Sequence, residues 1–540
     1  MPAHSNAPPG LITRGSAVEA QPSDSGMTKV SYLSLPHKPQ LFLLLLTRMT
    51  ESLVSSSMQS YLFFQLQYFD PAASPATIST QAGLMIGAKT AAHVCTGMIW
   101  GWLADWEYCG RKAVLVFGLM ASSVSILGYG FSRTFAMALT WQLLDGVLNS
   151  TIPMVRCVIA ELNPQKRHRA RALTLLPLCA NLGHLIGPLI GGFMVVSSKQ
   201  NSSNGFFERF PYAAPNIVIA AFHAILAVAT LFVVNETLPT KQNSHLGFFH
   251  RAWAGWTSRK RTETASLEEA DETSSLLATG HVERSPCTGN SDERNQTPSS
   301  ARLKFAHIWT FNVVMTLITY FMIHGHTGAF PSLWAIFLST PVASVKQHQS
   351  PFRLYGGLGM DPRRVGIVMS LQGAIGVVTQ VVLYPTLNDW LGTIRLFRSG
   401  LLVFPITYFM APFPALVSVH ATDWLSQATF QTSMQPSVWI SVVCILFLYV
   451  CGRTGASPAT TLLINDSTPH PSVRATIHTT GTIVSSLSRS IFPPIALGMF
   501  GYGLRIGFVE LGFWFLAGVA ALACLASMWV VEGDNGNDVE

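Results

Sequence analysis

The run LLLLTRMTESLV places Arg48 and Glu51 three residues apart inside apolar sequence. On a helix that spacing puts both on one face. A carboxyl there can take up and release a proton, and the guanidinium can tune that titration or bind an anion. A structural intrahelical pair is the alternative. In IGAKTAAHV, Lys89 and His93 lie four apart on one face. A lysine so far from either end of an apolar run cannot easily snorkel, so it is expected to face a cavity. The glycine spacing of a phosphate loop is absent from IGAKT. His184, His326 and Arg489 are further ionisable groups within apolar runs. Hydrogen-bonded packing is the stronger reading of the two histidines.

Such groups need elements that hold them at membrane depth. The chain has 540 residues, 49% hydrophobic and only 11% charged, against roughly 25% charged in soluble domains. The formal net charge of +7 comes from cations lying between apolar runs. Membrane topology explains them better than nucleic acid does. Residues 1–35 are polar and lack an apolar stretch of signal-peptide length, so they read as a disordered cytosolic tail. None of the eight cysteines forms a C-x-x-C pair. No disulfide framework, metal site or cofactor is expected.

Twelve apolar segments are long enough to span a bilayer as helices. They cover about 41–66, 79–104, 113–131, 134–157, 172–196, 213–235, 305–330, 363–386, 396–414, 437–461, 474–499 and 505–531. The Ser-, Thr-, Glu- and Arg-rich stretch 237–304 cannot bury a core and reads as a disordered linker. The domains expected are a tail 1–36, a six-helix bundle 37–236, the linker 237–304, a second bundle 305–531 and a tail 532–540. Lys and Arg concentrate in the loops after spans two, four and eight and in the linker, which puts both termini in the cytosol. Lys346, Arg353, Arg363 and Arg364 run against that bias. Of the sequons at Asn201, Asn235, Asn295 and Asn465, only Asn201 falls outside.

The stretch GWLADWEYCGRK, residues 101–112, joins spans two and three. Gly101 permits close helix approach. Asp105 sits at a helix end, where it can meet a cation or another helix's N-terminus. Gly110 turns the chain, and Arg111 and Lys112 anchor it at the anionic inner leaflet. In span five, GHLIGPLIGG sets Gly183 and Gly187 on one packing face, with Pro188, Gly191 and Gly192 beyond.

The first stretch resembles the signature loop of the major facilitator superfamily, matching it at Gly101, Asp105, Gly110, Arg111 and Lys112. Trp106 stands where that loop has a cation, and the gap from Asp105 to Gly110 is two residues longer. This longer form looks like a fungal branch related to zinc-induced-facilitator-like transporters and drug:proton antiporters. The span-five pattern resembles one found in the family's exporters. TRMTES, GLGMDPRRVGIVMSLQGAIGVVTQVVLYP, LINDSTPHPSVRATIHTTGTIV and LSRSIFPP also resemble the branch. The resemblance implies two six-helix bundles. It implies a conformational latch at Asp105, with Arg156 and Glu161 at the inner end. It places His326 and Arg489 at family positions for substrate or proton coupling. Two positions depart from the branch: Gln142 stands where span four usually has Arg, and Pro331 and Ser332 replace a span-seven acid.

The chain carries no H-E-x-x-H, G-x-S-x-G or paired membrane aspartates. An enzyme is therefore not expected, and the absence of an ATP-binding motif disfavours a primary pump. The function expected is a secondary transporter, a monomer in the plasma or vacuolar membrane, exporting a small organic molecule against protons. The alternative is an uncoupled facilitator or a non-transporting nutrient sensor.

Overall fold

Apolar runs of this length satisfy their own backbone groups only as helices, and nearly every regular element is one. The computed structural model describes residues 35–195 except 107 and 164, then 206–238, 309–342, 355–417, 436–467 and 474–531. The expected tails (but for residues 35 and 36), the linker beyond 238, Asn201 and Asn295 lie outside the described residues.

In the first half α1 (Lys38–Phe69), α2 (Pro75–Asp105), α3 (Gly110–Gly130), α4 (Phe135–Leu148), α5 (Thr151–Leu162), α6 (Lys166–Met194), the short α7 (Phe206–Arg209) and α8 (Ala213–Val233) follow in order. The second half holds α9 (Phe311–Ser339) and α10 (Pro362–Val378), which continues through a π turn (Thr379–Leu383) into α11 (Tyr384–Leu391). After it come α12 (Thr393–Met410), α13 (Pro436–Asp466), α14 (Arg474–Ile506) and α15 (Leu511–Ser527). Among the described residues nine helical segments are long and apolar enough to cross a membrane, α4–α5 and α10–α11 each counting once. The more polar α1 and α2 and the shorter α15 bring nine to twelve, six in each half. This is the expected all-α membrane fold.

Some bounds differ from the sequence reading. The seventh span starts later and runs on through Pro331 to Ser339, since neighbouring helices can satisfy the carbonyl that a proline frees. The twelfth is only Leu511–Ser527, because Gly507 turns the chain at φ 72° before it. The fourth breaks between Leu148 and Thr151. Asn149 causes the break: its backbone is extended, and its Oδ1 accepts the Thr151 N–H at 2.9 Å to start the next helix.

Within the first half α1 packs along α6, α3 along α8 and α2 along α4; in the second, α9 packs on α14, and α12 on α13 and α15. The α1–α6 seam explains the span-five glycines. A Cβ on Gly183 would run into Met49 and Ser52, one on Gly187 into Leu53 and Ser56, and one on Gly191 into Ser57 and Ser60. Without those atoms the backbones approach closely, and Ser56 Oγ donates to the Gly183 carbonyl at 3.2 Å. The second half is filled by interlocked rings, with Phe330 against Tyr408 at 5.0 Å and against Tyr449 at 4.5 Å between centroids.

The halves meet along two seams, α2 with α14 and α6 with α10. Gly83 and Gly87 admit Pro494, and Gly192 of the span-five motif faces Pro362 and Gly366. Ser79 Oγ donates to the Leu497 carbonyl at 2.7 Å, and Gln59 Nε2 to Ser332 Oγ at 3.3 Å. These contacts gather towards the end where α1 finishes and α2 begins. At the other end α2 is bare: Gly97 and Gly101 meet nothing within 4 Å, and Met98 and Trp102 are exposed. The close approach expected at Gly101 is therefore not made in this conformation. Among the described residues the halves are joined at one end and part at the other.

Candidate functional site

Three ionisable groups mark the middle of the bundle. Lys89 on α2, His324 on α9 and Arg489 on α14 each lie one residue from their helix's midpoint. At that depth an ionisable side chain needs a partner or water.

Lys89 Nζ makes an ion pair with Asp145 Oδ2 of α4, and the Asp145 side chain is only 5% exposed. The sequence reading passed over Asp145 in favour of Gln142. Charge balance could have found it, since Glu51 and Asp145 are the acids inside the first half's apolar runs, away from the helix ends. Arg48 and Glu51 share a helix but not a bond. Arg48 Nη1 donates to Ser52 Oγ at 2.9 Å, and Glu51 Oε1 accepts from Asn149 Nδ2 at 3.0 Å. The Asn149 carbonyl lies 2.7 Å from His93 Nδ1. One asparagine therefore ties α1 and α2 to the joint between α4 and α5.

In the second half Arg489 Nη2 lies 3.1 Å from His324 Nδ1. His326 is elsewhere: it is fully buried, 2.8 Å from the Tyr408 hydroxyl through Nδ1 and edge-on to Phe404. Residues two apart on a helix point about 200° from each other, so His324 and His326 cannot share a face. The family resemblance pointed to His326, which packs here against Tyr408, and the geometry brings His324 to Arg489.

Arg156 was expected in an inner latch with Glu161. It is exposed, and its electrostatic neighbours are Arg48, Arg489 and His324. Glu161, one and a half turns on, pairs with Arg111 instead. Arg453 of α13 donates through Nη2 to Asn181 Oδ1 at 2.7 Å, and Asn181 Nδ2 donates to Gln380 Oε1 at 2.7 Å. Gln380 belongs to the π turn, so an irregular stretch of α10–α11 carries a polar bridge between the halves. His184 is turned onto its own helix, 2.6 Å from the Ala180 carbonyl.

The loop after α2 forms a compact ionic cluster. Arg111 Nη2 meets Asp105 Oδ1 at 3.3 Å, and Nη1 meets Glu161 Oε1. Glu236, which the sequence reading did not single out, accepts the Arg111 and Lys112 backbone N–H groups at 3.1 and 3.2 Å. A carboxylate at the start of α3 suits the helix dipole. Gly110 there has φ 77°, and a Cβ would strike Glu236. In this conformation the cluster joins α2, α3, α5 and the segment after α8, all of the first half.

The family model of the Major Facilitator Superfamily matches residues 41–493. The chain is 27% identical over 531 residues to the multidrug transporter mfsB of Aspergillus fumigatus, covering 93% of this chain and 85% of that protein. It is 26% identical to the efflux pump azaK of Aspergillus niger, covering 80% of this chain and 75% of that protein. It is 25% identical to ZINC INDUCED FACILITATOR 1 of Arabidopsis thaliana, covering 66% of each. Among solved structures, the xylose transporter XylE of E. coli in a partially occluded inward-open conformation superposes with a TM-score of 0.57 at 12% identity, covering 92% of this chain and 100% of that one. The human organic anion transporter MFSD10 gives 0.54 at 15%, covering 91% and 99%.

Proposed function

The chain belongs to the Major Facilitator Superfamily, and from that premise we propose that this multi-pass membrane transporter exports a small organic solute or drug in exchange for protons. Alternating access is the mechanism: two halves, about 37–236 and 305–531, rock about a site at the midplane. The observation that carries the reading is the set of ionisable groups at mid-helix depth between halves that join at only one end. Export accords with the similarity to azaK, an efflux pump, and a drug cargo with the similarity to mfsB, a multidrug transporter. Both termini and the joining segment lie in the cytosol, the open end faces it, and the protein works as a monomer in the plasma or vacuolar membrane.

Glu51 is the coupling group. As a carboxylate it accepts a charge-assisted bond from Asn149. Protonation weakens that bond and frees the residue that sets the joint between α4 and α5. Proton uptake on α1 thereby loosens α4 and α5, the elements carrying Asp145 and Arg156.

The competing reading is an uncoupled facilitator or a sensor. It is favoured by the sealed position of His326 and by Ser332 serving as a contact to Gln59 where the branch has an acid. Proteoliposomes carrying purified protein and internal pyranine separate the two. The expected result is a proton flux that appears only with solute. At 100 mV one coupled charge supports about 50-fold accumulation, or about 2.3 kcal/mol. Glu51→Gln should bring that accumulation to near unity and leave counterflow exchange intact. Solute movement without proton movement at every pH contradicts the proposal.

A further inference from the structure

We propose that the chamber between the halves selects organic anions, with Arg48, Arg156 and Arg489 as the recognition set; this deepens the transport reading and rests on its chamber. The three come from α1, α5 and α14, so both halves contribute. Arg48 and Arg489 each count Arg156 among their electrostatic neighbours, and Arg489 is also a neighbour of Arg48. Like charges brought together at membrane depth are costly unless something negative joins them.

The chain's own acids supply little of that. Asp145 is taken by Lys89, and Glu51 is the single acid among Arg48's electrostatic neighbours. Among the described residues the electrostatic neighbours of Arg489 are Tyr320, Arg156, Tyr449, Arg48 and His324, with no acid among them. Three guanidinium charges thus face one carboxylate. The bonds given to the arginines also leave donors over. Arg48 gives one N–H to Ser52 and Arg489 one to His324, of five that each guanidinium carries. With Nδ1 accepting from Arg489, the His324 proton sits on Nε2, which is buried without a partner. Arg156 and Arg489 are both exposed to solvent although their helices are packed in the bundle. Reached from the open end, they would meet a soluble anion directly.

A planar carboxylate, sulfonate or phosphate matches the guanidinium fork in two bonds at once. Low-dielectric walls would focus the positive field and concentrate such solutes in the opening. A cationic drug would meet repulsion at the same place. The recognised class is a small organic solute bearing at least one permanent anionic group.

The test uses the full chain in nanodiscs of phosphatidylcholine alone, with citrate, glucose and tetraethylammonium as probes at matched ionic strength. Citrate is expected to raise the thermal unfolding midpoint in a saturable manner, and the other two to leave it unchanged. Arg489→Gln and Arg156→Gln should each weaken the citrate response at least about tenfold, the loss of one charge-assisted contact. Arg489→Lys should recover part of it. A ligand-free midpoint equal to that of the unsubstituted chain certifies each variant as folded. Stabilisation by tetraethylammonium or glucose and not by citrate overturns the proposal, while the proton-flux reading can still stand. If phosphatidylglycerol in the disc stabilises the protein and removes the citrate response, the site reads a lipid phosphate and the assignment to a soluble anion is likewise overturned. Citrate binding without any solute-linked proton flux would keep this proposal and remove the coupled-export reading.

Discussion

Lys89→Met is expected to destabilise the folded protein by about 3–5 kcal/mol, because it strands Asp145 as an unpaired charge in the bundle. Asp145 is 5% exposed at its side chain, and its Oδ1 already has no hydrogen-bond partner. Around it lie Gln142, Tyr129 and Asn216, lining a cavity of about 10 Å³, room for about one water and no new counter-ion. The double substitution Lys89→Met with Asp145→Leu should recover most of the loss, since an apolar pair of similar volume replaces a buried ion pair at little cost. Thermal unfolding of the single and double variants in detergent gives the cycle. Equal destabilisation of the single and double variants would mean the ion pair has no part in the fold.

Gly187→Leu comes next in size. Its Cβ would fall on Ser56 Oγ and the Leu53 backbone, and backbone cannot rotate away. Overpacking of this kind typically costs about 1–3 kcal/mol and more where a whole helix must shift. Here α1 and α6 would have to separate, carrying Arg48 and Glu51 with them. Loss of the monodisperse peak on size exclusion is expected, together with a lowered unfolding midpoint. Gly101→Leu is the internal comparison: it meets nothing within 4 Å, and a change within about 0.5 kcal/mol is expected. If both glycines tolerate leucine equally, the close α1–α6 approach is not what the span-five motif provides.

The two glycines show what one chain of letters can and cannot tell. The twelve spans and the span-five packing stripe were legible because they follow from local properties: apolar length, and small residues at fixed spacing. The role of Gly101 was not, because it depends on which end of the halves is apart. Side-chain partnerships were legible only in part. Arg48 and Glu51 were found by their depth, but their spacing suggested a mutual bond, and each instead bonds a different residue, Ser52 and Asn149. Lys89 was found, yet its partner Asp145 lies 56 positions later on α4. The family resemblance implies one inner latch for Arg156 and Glu161. Five residues on a helix turn through about 140°, so Arg156 lies by Arg48 and Arg489 while Glu161 meets Arg111. Glu236 lies 124 positions beyond Lys112, and only the return of the chain after α8 brings it there.

The central claim is that water reaches the charged midplane from one end. Ser55 tests it most directly. It is exposed on α1, on the face that carries Arg48, Glu51 and Gln59, and Gln59 touches the opposite half. Ile225 on α8 is 63% exposed on the outer flank of the first half and serves as the lipid-facing control. In a chain whose eight cysteines are replaced by serine, Ser55→Cys and Ile225→Cys would be treated in proteoliposomes with a charged, membrane-impermeant thiol reagent. The account predicts rapid labelling at position 55, slowed by a transported solute, and none at 225. An unreactive position 55, with reagent supplied on both sides of the membrane, would contradict it.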